Sequence, residues 1–145
     1  MATSTLRAVD AQSAAADTGR LVVRIALGVL ILLHGIAKLQ GPPDMIVGML
    51  TKTGLPPFLA YGVYIGELLA PVLLILGLWT RAAAIVIAVN MIFAVYLAHF
   101  GQLMKIGPQG GYALELQAMF LFTAVAIAFL GAGRYSIGGR FGPMN

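Results

Sequence analysis

The sequence predicts an all-α integral membrane protein, a bundle of four transmembrane helices with a short surface helix between the first two. Three observations predict it. Apolar residues make up 60% of the 145, charged residues only 10%, and the mean hydropathy is +0.94, well above the balance of a soluble domain. A chain of 15.2 kDa has too small an interior to hide that much apolar surface, so the excess must face lipid. The apolar residues also fall into four runs of roughly 20, the length that a hydrocarbon core of about 30 Å requires. One domain uses the whole length.

Residues 1–19 are rich in Ala, Ser, Thr, Asp and Gln without an apolar run, which predicts a flexible tail rather than a signal peptide. The membrane domain then extends over residues 20–137. Its first span, residues 21–39, starts at Arg20-Leu21 and stops at Gln40-Gly41-Pro42-Pro43. Two Pro-Pro pairs bracket Met45 to Leu50, enough for two helical turns lying on the membrane surface as a lid. The second span, residues 58–79, closes on Trp79-Thr80-Arg81, an aromatic ring and a cation at headgroup level. Residues 82–100 follow at once as the third span, so the two must form an antiparallel hairpin. After a Gly-rich loop, Gly101 to Gly111, the fourth span covers residues 112–130. Gly131-Ala132-Gly133-Arg134 ends it, and residues 138–145 are expected as a polar tail.

The net charge of +4 does not indicate nucleic acid, because the cations sit singly at the ends of apolar runs, as orientation signals and headgroup contacts do. Arg7, Arg20, Arg24, Arg81, Arg134 and Arg140 fall on the side of the termini, and Lys38, Lys52 and Lys105 on the other. That asymmetry predicts a multi-pass protein of the inner (plasma) membrane with both termini cytoplasmic. The chain has no cysteine, which excludes a disulfide scaffold, a thiol relay and a Cys-ligated cluster within it.

Ionisable residues inside a span each cost about 2.5–3.5 kcal/mol on insertion scales and so need a physical reason. Arg24, Gly28, Ile31, His34, Gly35 and Lys38 share one stripe at 100° per residue, which must face the bundle. Span two carries Glu67 with Pro71 one turn on, span three Asn90 and His99, and span four Glu115 and Gln117. Counting 1.5 Å per residue puts His34 and Glu67 about 10 Å below the lid-side surface, and Lys38, His99 and Glu115 about 5 Å below it. The expected pairings are His34 with Glu67 and Lys38 with Glu115. Arg24 is expected as a snorkelling anchor at the opposite surface, and Asn90 as an interhelical hydrogen-bonding residue, about 180° around its helix from His99 and so not on the same face. Haem ligation by His34 and His99 conflicts with their depths, which differ by about 6 Å, and Met45 and Met49 are better explained as apolar filler than as copper ligands. No metal, haem or Fe–S site is expected.

The ordered set Arg24-x-x-x-Gly28, His34-Gly35-x-x-Lys38, Gly66-Glu67-Leu68, Leu76-Gly77-Leu78-Trp79-Thr80-Arg81, Gly111 with Glu115, and Gly131-x-Gly133-Arg134-Tyr135-Ser136 resembles the DoxX family. The likeness runs from Arg20 to Ile137. Gly138 stands where that family usually has an acidic residue. The resemblance implies a small four-helix inner-membrane protein associated with membrane oxidoreductase systems, its namesakes being linked to thiosulfate:quinone oxidoreductase.

The functional expectation is a membrane subunit of an oxidoreductase system that binds a quinone or similar apolar ligand in a polar pocket of the lid-side half. Glu67 and His34 are the candidate catalytic groups, moving protons. Lys38, Glu115, Tyr64, His99 and Asn90 are the candidate ligand-binding residues. The chain is not expected to catalyse alone, and electrons would come from a partner. Membrane lipid and a partner protein or a second copy are the expected contacts, with no nucleic acid. Two alternatives remain open: a non-catalytic assembly or anchoring subunit, and a small-solute carrier, which four short spans suit poorly unless they oligomerise.

Overall fold

The computed structural model describes residues 2–108 and 110–145, with side chains described from residue 12 onward. Met1, where the expected tail begins, and Gln109, in the expected Gly-rich loop, lie outside the described residues. The chain forms five helical elements: α1 (Ala2–Lys38), α2 (Asp44–Lys52), α3 (Pro57–Leu76), α4 (Thr80–Gln102) and α5 (Glu115–Leu130). No strand forms among the described residues. Three helices, Gln12–Lys38, Pro57–Leu76 and Thr80–Gln102, are long and apolar enough to cross a membrane. The fourth, α5, has 16 residues, roughly 24 Å at 1.5 Å per residue, and starts three residues later than expected. Tyr112 instead forms an isolated antiparallel bridge with Ile106, and Ala113 and Leu114 are in a turn. The expected four spans are therefore three full-length helices and one shorter one.

The helical backbone of α1 begins at Ala2, within the segment expected as a tail. Ala is the strongest helix former, and the Ala-rich segment continues the span's helix without a break. Gly41, Pro42 and Pro43 end it, and Pro43 precedes α2, whose first turn holds Asp44 and last turn Lys52, the favourable order for the helix dipole. Gly77, with φ of 70°, closes α3 in a Schellman arrangement: Leu78 N–H donates to Leu73 O at 3.0 Å and Gly77 N–H to Leu74 O at 3.2 Å. Three residues, 77–79, then suffice to reverse the chain into α4.

Leu27, Ile31, Leu74, Ile87, Phe120 and Ile127 meet in one core with Ala83, Ala84, Ala88 and Ala124. The alanines let α4 and α5 approach closely, as interfaces between membrane helices require. Large apolar side chains point the other way, with Val22, Leu33, Val89, Phe122 and Phe129 all exposed on the outside of the bundle. That surface suits lipid and not water.

At the terminal end two of the cations, Arg24 and Arg81, are consumed internally. Arg24 is 2% exposed, and its Nη1 and Nη2 donate to Ala132 O at 2.7 Å and Tyr135 O at 2.6 Å. The expected snorkelling anchor is thus a buried clamp between α1 and the chain leaving α5. Arg81 Nη1 donates to Ala128 O and Phe129 O at 3.0 and 3.1 Å, satisfying carbonyls that α5 leaves free at its end. The C-terminal tail, residues 138–145, folds back on the α3–α4 turn. Asn145 is buried there, accepting from Thr80 N–H and donating to Gly77 O, both at 3.0 Å.

A candidate ligand cavity between the helices

The site is built on an irregularity in α3. Pro71 has no N–H to donate, and in regular α geometry its ring strikes the carbonyl four residues back, that of Glu67. The turn Ile65–Leu69 is widened to a π turn, its bond running from Ala70 N–H to Ile65 O. Gly35 of α1 packs directly against the Glu67 carbonyl, where any side chain would collide with backbone. Glu67 is thereby fixed inside the bundle, 3% exposed.

Its partner is Lys38, with Nζ donating to Glu67 Oε1 at 2.6 Å. Neither expected pairing forms. The stem of Lys38 reaches down the roughly 5 Å by which its backbone sits above Glu67, a distance that four methylenes cover easily. Asn90 Nδ2 of α4 donates to the same Oε1 at 3.2 Å, so one carboxylate oxygen ties three helices together. Oε2 is buried without a hydrogen-bond partner among the described residues.

A cavity of about 240 Å³ opens beside it, lined by Ile31, His34, Lys38, Glu67, His99, Gln117 and Phe120 among others. His34 Nδ1 lies 2.8 Å from Leu30 O, which can only accept, so Nδ1 carries the hydrogen. Its ring stands edge-on to Phe120, with centroids 5.7 Å apart. A second π turn, Val95–His99, brings His99 to the same cavity. The Gln117 amide approaches His99 Nε2 at 3.5 Å, a weak contact, and Nδ1 is buried without a partner among the described residues. Four of the sequence-derived candidates, His34, Lys38, Glu67 and His99, therefore share one cavity.

Three others lie elsewhere. Tyr64 lines an adjoining cavity of about 220 Å³ under α2, with Pro42, Pro43 and Met45; Lys38 borders both cavities. Asn90 acts on the site through Glu67 and faces an apolar cavity of about 290 Å³ roofed by Ile46 and Leu50 of α2. Glu115 is exposed, and its Oε1 accepts Tyr112 N–H at 2.8 Å, holding the start of α5. Glu115 thus serves its own helix end and not Lys38. Gln117, Met91 and Phe120 complete the lining. Gln117 was visible as a polar residue in an apolar span; the other two carry no signal that separates them from ordinary core.

A helical membrane bundle with a cavity that four titratable side chains line at the level of a proline-widened helix defines a small polytopic membrane protein. The chain belongs to the DoxX family, whose model matches residues 19–100. It is 34% identical over 122 residues to an uncharacterized protein of Haemophilus influenzae, covering 82% of this chain and 87% of that one. It is 30% identical over 116 residues to the Bacillus subtilis protein named "Putative oxidoreductase CatD", covering 80% and 81%. A Mycobacterium tuberculosis membrane protein, Rv3486, is 26% identical over 127 residues, covering 81% and 78%. No solved structure matches the chain. Family and apolar helices together make it a membrane protein.

Proposed function

We propose that this protein is a membrane component of an oxidoreductase system and that its cavity holds the ring of a quinone-like ligand. The observation that carries the reading is that Glu67 and His99 line one cavity and each keeps a buried polar atom, Glu67 Oε2 and His99 Nδ1, without a hydrogen-bond partner among the described residues. Buried polar groups are almost always hydrogen-bonded, so two orphans on one cavity mark where a ligand supplies the missing partners. The volume of about 240 Å³ lies below the ~300–1,000 Å³ of drug-sized sites and suits a single ring system. Interconversion of a quinone and its quinol moves two electrons and two protons. Glu67 and His99 are the groups to exchange the protons, with His34 and Lys38 beside them. The chain has no cysteine to relay electrons, so a partner protein supplies them. The name of the Bacillus relative supports an oxidoreductase association.

The test is extraction of quinones from the protein purified gently out of native membranes. Wild type is expected to retain the quinol form, whose hydroxyl can donate to the Glu67 carboxylate, and Glu67→Gln to retain about tenfold less, the loss of one hydrogen bond to a charged group. A second reading rests on the Lys38–Glu67–Asn90 network itself, which joins α1, α3 and α4 and could serve assembly alone. If no quinone accompanies the wild type and Glu67→Gln instead disperses a co-purifying complex, the anchoring reading replaces the first. The arginine excess on the terminal side supports cytoplasmic termini, with α2 facing outward. Because the chain is cysteine-free, Lys52→Cys on exposed α2 gives one label site. An impermeant thiol reagent is expected to label it in intact cells; labelling only after the membrane is opened reverses the orientation.

A further inference from the structure

Of the arginines gathered at the terminal end, Arg24 and Arg81 spend their guanidinium groups on backbone carbonyls. Three others do not. Arg20 and Arg140 both approach Asp17, at 2.6 and 4.0 Å, so a single carboxylate, 1% exposed, spaces two cations. Arg20 keeps a buried Nε without a partner among the described residues. Arg134, exposed, lies over the Tyr135 ring at 4.9 Å and makes no guanidinium hydrogen bond among the described residues. Gly133 packs against both Asp17 and Arg20, which brings the neighbouring Arg134 to the same corner. Two cations thus share one carboxylate, and the exposed guanidinium of a third, Arg134, lies close by without an acidic partner among the described residues.

The depth of this corner decides what anion it meets. From Lys38 to Arg20 is 18 residues of continuous helix, roughly 27 Å, close to the thickness of a hydrocarbon core. Arg20 therefore sits at the headgroup level on the terminal side. A guanidinium fork matches two phosphate oxygens at once, and uncompensated cations at this level attract anionic lipid.

We propose that Arg20, Arg134 and Arg140 form a binding site for the phosphate of an anionic phospholipid headgroup. The site is separate from the Glu67 cavity and does not depend on what that cavity binds.

The test is native mass spectrometry of the full chain in mild detergent, titrated with phosphatidylglycerol, with phosphatidylcholine of the same acyl chains, and with inorganic phosphate. Phosphatidylglycerol is expected to bind about tenfold tighter than phosphatidylcholine. Arg134→Gln is expected to weaken phosphatidylglycerol about fivefold, and the Arg134→Gln/Arg140→Gln pair to abolish the preference, while Arg140→Lys retains it. Lys52→Gln/Lys105→Gln, the same charge change at the other end, is expected to leave it intact. Should the Arg140→Gln pair fail to fold, Arg134→Gln alone, which removes no internal hydrogen bond, carries the test. Equal affinity for the two lipids, or equal loss in the lysine pair, overturns the proposal. Inorganic phosphate binding as tightly as phosphatidylglycerol overturns the lipid assignment, since the ligand is then a free anion.

Discussion

Lys38→Met is expected to lower the stability of the bundle by about 2–3 kcal/mol, more than its size or exposure suggests. The substitution removes little packing, because the Lys38 side chain is 39% exposed, but it strips the cation from a carboxylate that is 4% exposed. A buried ion pair contributes little over an apolar pair of the same shape, whereas breaking one from a single side costs about 3–5 kcal/mol; the exposure of Lys38 reduces that figure. The double variant Lys38→Met/Glu67→Gln is therefore expected to recover most of the loss, since no charge is then stranded. Unfolding followed through Trp79 fluorescence gives the comparison, with the single variant roughly 5–10 °C below wild type. If single and double variants both melt with wild type, the pair carries no stability and the carboxylate is held by something else.

Gly35→Val is expected to be the most damaging single substitution in α1. A Cβ at this position would run into the Glu67 carbonyl oxygen, lie 2.7 Å from the Glu67 carbonyl carbon and 2.8 Å from Leu68 Cδ2. Backbone cannot swing aside as a side chain can, so α1 and α3 must separate. Overpacking of this kind costs about 1–3 kcal/mol where a core relaxes, and here the upper end or beyond applies. The separation also carries Lys38, one turn away, off Glu67, so ligand retention should fall together with the melting temperature. Gly19→Val in the same helix meets nothing within 4 Å and serves as the control, expected to melt with or above wild type. Equal behaviour of the two variants would show that α1 and α3 are not pressed together at Gly35.

The main outline was legible in the sequence because lipid makes strong demands on composition. Run lengths, the Pro-bounded surface helix and the short link around Gly77 each follow from a single local rule, and the structure agrees within a few residues. Of the five ionisable residues counted to the lid-side half, His34, Lys38, Glu67 and His99 line one cavity and Glu115 does not. The pairings were not legible. Counting at 100° per residue assumes an unbroken α-helix, and the π turns at Ile65–Leu69 and Val95–His99 break it where Glu67 and His99 sit. Pro71 was the available signal for the first; the second has none. The start of α1 is polar in composition but rich in alanine, and its backbone is helical. The return of Asn145 to Gly77 joins residues 68 positions apart, and no local pattern announces such a contact.

A π turn is what one inserted residue leaves in an α-helix whose two ends are held in place. Among the described residues both such turns lie in the same half of the bundle, and each presents one titratable side chain to the cavity. Removing one residue within either turn would rotate that helical segment by about 100°. The side chain that α3 or α4 offers the cavity therefore depends on helix register as well as on residue identity.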